Sequence, residues 1–213
     1  DIPEQGGQLV VQGKVSGPAA DVDRIFHDTP LAATLPKELL DWRFREGQVQ
    51  GHLLLDVPLK KGEGRQVTVV ADGSASGVTV ANEARRLILT GVASPVHFHS
   101  RNGLNLPDLK GEGLGGRFSG AWTTRDADSR LVLTGGLPAA RLRQWLGFDW
   151  LSPVSGTVPV DITMSMPWRG RGFHLEASSS LRGVAVNAPA PLGKSADSSR
   201  RLWLSLDPER QDL

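Results

Sequence analysis

The chain of 213 residues contains no cysteine and no tyrosine. Without cysteine it forms neither disulfides nor thiolate metal sites, and it suits cytoplasm or periplasm equally. Aromatic residues make up only 6% of it. Net charge is nearly nil, with 24 basic residues against 23 acidic ones. A nucleic-acid partner would call for a basic excess or stripe, and neither is there. No apolar run reaches the about 18 residues of a membrane-spanning helix. The opening, DIPEQGGQ, carries neither an initiator methionine nor a signal-peptide pattern. The chain therefore reads as a piece of a longer protein.

What is abundant is glycine, at 25 residues, and proline, at 14. With 39% hydrophobic residues, that composition favours many short strands over long helices. The length suits one large β domain or two small ones, and it is enough to bury a substantial core. QLVVQGKVSG alternates through Leu9, Val11 and Val15 and predicts a strand. AADVDRIFHDTP predicts a short helix with Ile25 and Phe26 apolar. LPKELLDWRFREG predicts a second helix, with Pro36 in its first turn and Leu39, Leu40 and Trp42 on one side. LPAARLRQWLGF predicts a third, around Leu142, Trp145 and Leu146.

Between the helices the period is two. In GQVQGHLLLDVPL, Val49, Leu53, Leu55 and Val57 share a face opposite Gln48, Gln50, His52 and Asp56. RQVTVVADG groups Val67, Val69 and Ala71. Further strands are expected near 84–91, 95–100, 107–113, 116–124 and 130–135, several punctured by glycines as at bulges or bends. The clearest strand is GTVPVDITMSMPW, with Val158, Val160, Ile162, Met164 and Met166 on one face. Pro159 on its other face points to an edge or a bulge. GFHLEASS follows, with Phe173, Leu175 and Ala177 together.

An approximate internal repeat relates residues 8–135 to 136–213. GQVQGHLLLDVPLKK aligns with GTVPVDITMSMPWRG, placing Gly47 on Gly156, Leu55 on Met164 and Pro58 on Pro167. Gly77 and Val78 fall on Gly183 and Val184, and RRLILTG echoes RRLWLSL. The first copy joins its last two strands tightly; the second inserts the proline hook NAPAPLGKSADSS. A unit of this kind buries its apolar face only against a neighbour. The plainer alternative is an ordinary sandwich whose β halves look alike.

Sites for chemistry are few. His97 and His99 lie two apart, so on a strand both imidazoles reach one side, but no third ligand is spaced to join them. A solvent-facing pair is the simpler reading. Asp126 and Asp128 fit a hairpin turn better than a glycosidase carboxylate pair. GEGLGG lacks the Lys-Ser/Thr ending of a phosphate loop and reads as a β-turn. No serine sits in a nucleophile elbow. No catalytic residue, metal ligand or cofactor is assigned. The remaining signal is the apolar stripe, about 30 Å long from Val158 to Met166 at about 3.4 Å per residue. Such stripes usually form a packed core; the functional alternative is a groove for an acyl chain.

LRGVAVNAPAPLGKSADSSRRLWL resembles a signature of the AsmA-like envelope proteins, in their YhdP branch, where a proline-containing run ending in lysine follows a strand. LPKELLDWRFREGQVQGHLLLDVPL and LNLPDLKGEGLGGRFSG resemble further blocks of that family, in the same order. The similarity extends from about Val15 to Leu206. It implies a mainly β fold with a few short helices, a long, curved antiparallel sheet forming a β-groove or open-barrel-like segment across residues 1–213. It implies movement of phospholipid from inner to outer membrane, in a periplasmic segment of an inner-membrane-anchored protein. Phospholipid acyl chains and adjoining segments of the parent protein are then the expected partners. The expected lipid-facing residues are Val49, Leu53, Leu55, Val57, Val67, Val69, Val158, Val160, Ile162, Met164, Met166, Phe173 and Leu175. A structural or partner-binding envelope module with a closed core is the competing expectation. A carbohydrate hydrolase is the third, and convergent carboxylates in a cleft would mark it. Open sheet edges lead us to expect self-association.

Overall fold

The computed structural model describes residues 8–28, 32, 37–59, 67–168 and 172–207. Strand β1 (Gln8–Pro18) leads into helix α1 (Ala19–Asp28), the short helix α2 (Lys37–Leu40) and strand β2 (Arg43–Phe44). Strands β3 (Gln48–Pro58), β4 (Thr68–Asn82), β5 (Leu87–His99), β6 (Gly103–Gly113), β7 (Gly116–Arg125) and β8 (Asp128–Pro138) follow. Helix α3 (Ala139–Leu146) and a 3-10 turn at Asp149–Leu151 connect to β9 (Val154–Pro167), β10 (His174–Ser179), β11 (Val184–Val186) and β12 (Leu202–Leu206). The strands form one antiparallel sheet in the order β1-β3-β4-β5-β6-β7-β8-β9-β10-β12, with β2 beside β4 and β11 beside β9. The mainly β, curved-sheet fold expected from the sequence is the fold observed.

Tight turns set this order. Leu114 and Gly115, at φ 52° and 74°, turn β6 into β7; Asp126 and Ala127, at 50° and 67°, turn β7 into β8. Two consecutive left-handed residues match the twist of the flanking strands. GEGLGG is therefore a hairpin turn, and Asp126 lies in a turn as its spacing suggested. Pro159 sits where β9 changes partners, between the β10 pairing that ends at Asp161 and the β11 pairing that begins at Gly156. The missing proline N–H thus falls at an irregularity in the sheet, as expected.

The sheet curls strongly. Phe98 near the end of β5 and Trp168 just after β9 have ring centroids 6.2 Å apart. Four strand intervals separate β5 from β9, about 19 Å in a flat sheet. The face carrying Phe98 must therefore be concave. Neither β1 nor β12 pairs on its outer side among the described residues, so the curl stays open. Phe98 and Trp168 form one core cluster with Phe26 of α1, Leu39 and Leu40 of α2, and Val69, Ala71 and Leu104 of the sheet. A second core joins Ala139 and Leu142 of α3 to Val158, Val160 and Val184. Helices thus lie on the concave side, over parts of it.

The helix expected across LPKELLDWRFREG is cut short. The Trp42 N–H donates to Leu39 O at 3.2 Å, and the chain then turns extended. Arg43 and Phe44 pair with Ala81 and Val80 of β4. The Phe44 N–H also donates to Asp23 Oδ1 at 2.8 Å. These tertiary partners override the local helical propensity. The expected first turn with Pro36 lies outside the described residues. The separate strands expected near 84–91 and 95–100 are one strand, β5, with bulges against β4 and β6.

Two corners are built alike. Gly47, at φ 95°, packs so closely on Gly77 and Val78 that a Cβ would lie 2.6 Å from their backbone. Gly156, at φ 98°, faces Gly183 and Val184 in the same way. Val78 and Val184 are both buried.

Candidate functional site

Direct partners across an antiparallel sheet share a face. Their registers trace one apolar face through the whole sheet. Leu53, Ala71, Phe98 and Leu104 are successive partners across β3, β4, β5 and β6. Leu106, two residues along β6, continues through Trp122, Leu131, Met164, Leu175 and Leu206 to the far edge of the sheet. A parallel row runs from Leu133 through Ile162 and Ala177 to Leu204. The opposite, convex face is polar: Gln50 lies opposite Ser74, Asp72 opposite His97, Glu112 opposite Arg117 and Thr163 opposite Glu176.

The residues singled out in the sequence fall on this concave face in two blocks. Val49, Leu53, Leu55 and Val57 line β3, paired to β1 through Leu9, Val11 and their neighbours. Leu55 and Val69 are direct partners. Val67 precedes β4 and is 45% exposed. Val158, Val160, Ile162, Met164 and Met166 line β9, and Leu175 of β10 is the partner of Met164. Val158 and Met166 are buried, the former in the core beneath α3. Phe173 precedes β10 beneath the Arg85 guanidinium, 5.7 Å from its ring centroid. The two blocks do not touch as neighbours; β5 to β8 stand between them. The bridging residues Phe98, Leu104, Leu106, Trp122, Leu131 and Leu133 were not singled out, although alternation in GLNLPDL and RLVLTG carries the signal.

His97 hydrogen-bonds Asp72 at 2.8 Å on the convex face. His99 accepts at Nδ1 from the Arg101 N–H at 3.1 Å. The described residues hold no cluster of three or more His, Cys, Asp or Glu side chains arranged for a metal. Among them, no helix is long and apolar enough to cross a membrane.

The proline hook is a braced loop beside the concave face. Val186 and Lys194 exchange backbone hydrogen bonds at 2.9 and 3.0 Å. The Lys194 side chain turns inward, and Nζ donates to the carbonyls of Leu181, Val184 and Ser195 at 2.7, 2.8 and 3.0 Å. Arg200 Nη2 donates to Pro191 O and Gly193 O. Lysine ends the hook because one buried ammonium supplies three donors that gather three carbonyls onto a single point.

The profile of the family described as YhdP protein matches residues 1–213. No curated protein and no solved structure matches the chain. The order of blocks read from the sequence, the open curled sheet and a match along the full length agree: the chain belongs to the YhdP family, a family of cell-envelope proteins.

Proposed function

We propose that this chain is a segment of a periplasmic lipid-transfer path, in which phospholipid acyl chains pass along the concave face between inner and outer membrane. The supporting observation is the continuous row Leu106, Trp122, Leu131, Met164, Leu175 and Leu206. A tail leaving water along such a row gains about 0.8 kcal/mol per CH₂. The open side of the curl lets a head group remain hydrated. Transfer of this kind breaks no bond, so the reading assigns no catalytic residue and no cofactor. The parent protein would be anchored in the inner membrane through another part of its chain. Membership in a cell-envelope family supports that setting.

Lipid extracted from the purified protein tests this reading. Wild type should carry phospholipid detectable by mass spectrometry. A Leu55→Asp/Met164→Asp variant should lose most of it while keeping its circular dichroism and a cooperative melt. Wild-type protein free of lipid would overturn the reading.

The cluster around Phe98 and Trp168 favours a second reading, a structural module with closed core, because both rings are buried beneath α1 and α2. Under that reading the double variant unfolds and no lipid is found in either protein. Under both readings β1 and β12 are pairing edges for adjoining segments. Leu9, Val11, Leu202 and Leu204 are all about half exposed there. Unpaired apolar edges favour association. Light scattering should show concentration-dependent oligomers, reduced by Val11→Lys/Leu204→Lys; a strict monomer at every concentration would contradict this.

A further inference from the structure

One end of the sheet collects five connections: the β1–β3 connection with α1 and α2, the β4–β5 turn, the β6–β7 turn, the α3 segment and the β10–β12 connection with its hook. The last four are tied together. Trp145 Nε1 donates to Arg85 O at 2.9 Å. The Arg141 side chain lies over Gly115, where an added Cβ would meet it at 3.2 Å. The Asn187 N–H donates to Pro153 O at 2.9 Å, seating the hook beside the turn that follows α3.

Large apolar side chains protrude from this end. Trp150 is 72% exposed, Leu192 68% and Phe148 44%. Phe148 and Trp150 stack with centroids 5.7 Å apart. Their backbone is held in place: the Leu151 N–H donates to Phe148 O at 3.1 Å and the Ser152 N–H to Asp149 O at 2.9 Å. Leu192 rides on the hook clamped by Lys194 and Arg200. Rigid knobs lose little freedom on docking.

The part of this end that carries the knobs is basic, although the β1–β3 connection beside it, residues 19–47, has four basic residues against six acidic ones. Residues 83–86, 139–153 and 180–201 hold seven arginines and one lysine against Glu83, Asp149 and Asp197, an excess of five in a chain of net charge +1. The rest of the chain is therefore net acidic. The basic excess is concentrated in the segments that expose or adjoin the aromatics.

We propose that this end docks on an anionic lipid bilayer, with Phe148, Trp150 and Leu192 entering the interfacial region and the arginines facing lipid phosphates. Tryptophan suits the boundary of water and hydrocarbon, and clustered basic residues are drawn to anionic head groups. Separate knobs on distinct loops fit a fluid surface better than a flat protein face. The proposal is independent of the lipid lane: the end can bind a bilayer whether or not the concave face carries acyl chains.

Co-sedimentation with vesicles tests it. Wild type should pellet with vesicles of phosphatidylcholine mixed with phosphatidylglycerol and much less with phosphatidylcholine alone, and added salt should weaken the interaction. Phe148→Ser/Trp150→Ser and Arg141→Glu/Arg143→Glu should each bind roughly tenfold more weakly. The exposed positions of Phe148 and Trp150 make unfolding an unexpected outcome, and circular dichroism checks it. Lys14→Glu/Arg130→Glu, on the convex face away from this end, should bind as wild type. Leu55→Asp/Met164→Asp should also still pellet, which separates this surface from the lane. Failure of wild type to pellet with either vesicle, or equal binding by the Phe148/Trp150 variant, would overturn the proposal. So would loss of pelleting by the folded lane variant.

Discussion

Trp168→Ala is expected to destabilise the protein by about 3–5 kcal/mol, the range for emptying a fully buried aromatic site. Trp168 has no exposed surface, and it packs on Phe98, which is 6% exposed. Phe98 in turn lies 6.3 Å from Phe26 of α1, and Phe26 lies 5.8 Å edge-on from Phe44 of β2. One chain of rings thus ties the end of β9 to β5, α1 and β2. The Trp168 N–H donates to Ala127 O at 2.6 Å, fixing the ring across the β7–β8 turn. Loss of the indole removes the brace that holds the curl, in a fold whose total margin is of order 5–15 kcal/mol. Among the described residues the indole Nε1 is buried without a hydrogen-bond partner. Trp168→Phe removes that orphan donor, which costs roughly 1–3 kcal/mol while buried, so it offsets part of the lost volume. Urea titration should therefore rank wild type and Trp168→Phe close together and Trp168→Ala well below. An alanine variant with an unchanged midpoint would contradict the bracing role.

Gly156→Ala is the second large effect, expected at roughly 3 kcal/mol or more from a strained φ together with overpacking. Gly156 has φ 98°, and a methyl there would overlap the Gly183 carbonyl oxygen. That carbonyl belongs to backbone, which cannot swing aside as a long side chain would. The Val184 partner of Gly156 is part of the core under α3, so strain at the corner spreads into packing. Gly47→Ala should behave similarly, because Gly47 meets Gly77 and Val78 in the same arrangement. Gly13→Ala is the contrast: among the described residues nothing lies within 4 Å of its added Cβ. Thermal melts should show Gly13→Ala near wild type and both corner variants strongly shifted. A neutral Gly156→Ala would show that β9 and the Gly183–Val184 segment do not meet this closely. Two corners of the same design support, as a proposal, an origin of the chain in two related units.

The alternation that places Val49, Leu53, Leu55 and Val57 on one face, and Val158 to Met166 on another stretch of it, was legible because period two survives any curvature of the sheet. The glycine turns and α3 were legible for local reasons as well. The row between those blocks was not. Leu104, Leu106 and Trp122 sit in β6 and β7, whose pairing slips register between Leu106 and Leu109, so the alternation changes phase there; Leu131 and Leu133 alternate regularly but lie in a strand too short of apolar residues to stand out. Strand β2 was hidden because its partners, Ala81 and Val80, lie far along the chain. Trp168 gave no signal: its role depends on the curl, and the curl is visible only when β5 and β9 are brought together. Lys194 could be seen as the end of a motif, but its three carbonyl partners arise from the folded hook.

Photo-crosslinking tests the central claim most directly. A photoreactive amino acid is placed in turn at Leu131 and Ile162 on the concave face, and at Thr134 and Thr163 on the convex face, in protein expressed within an intact cell envelope. The register puts Leu133 opposite Ile162 and Val132 opposite Thr163, so the two sets report opposite sides of the same strands. The account predicts phospholipid adducts, identified by mass, from Leu131 and Ile162 and almost none from Thr134 and Thr163. Equal labelling of both faces, or adducts only to protein from the concave positions, would contradict it.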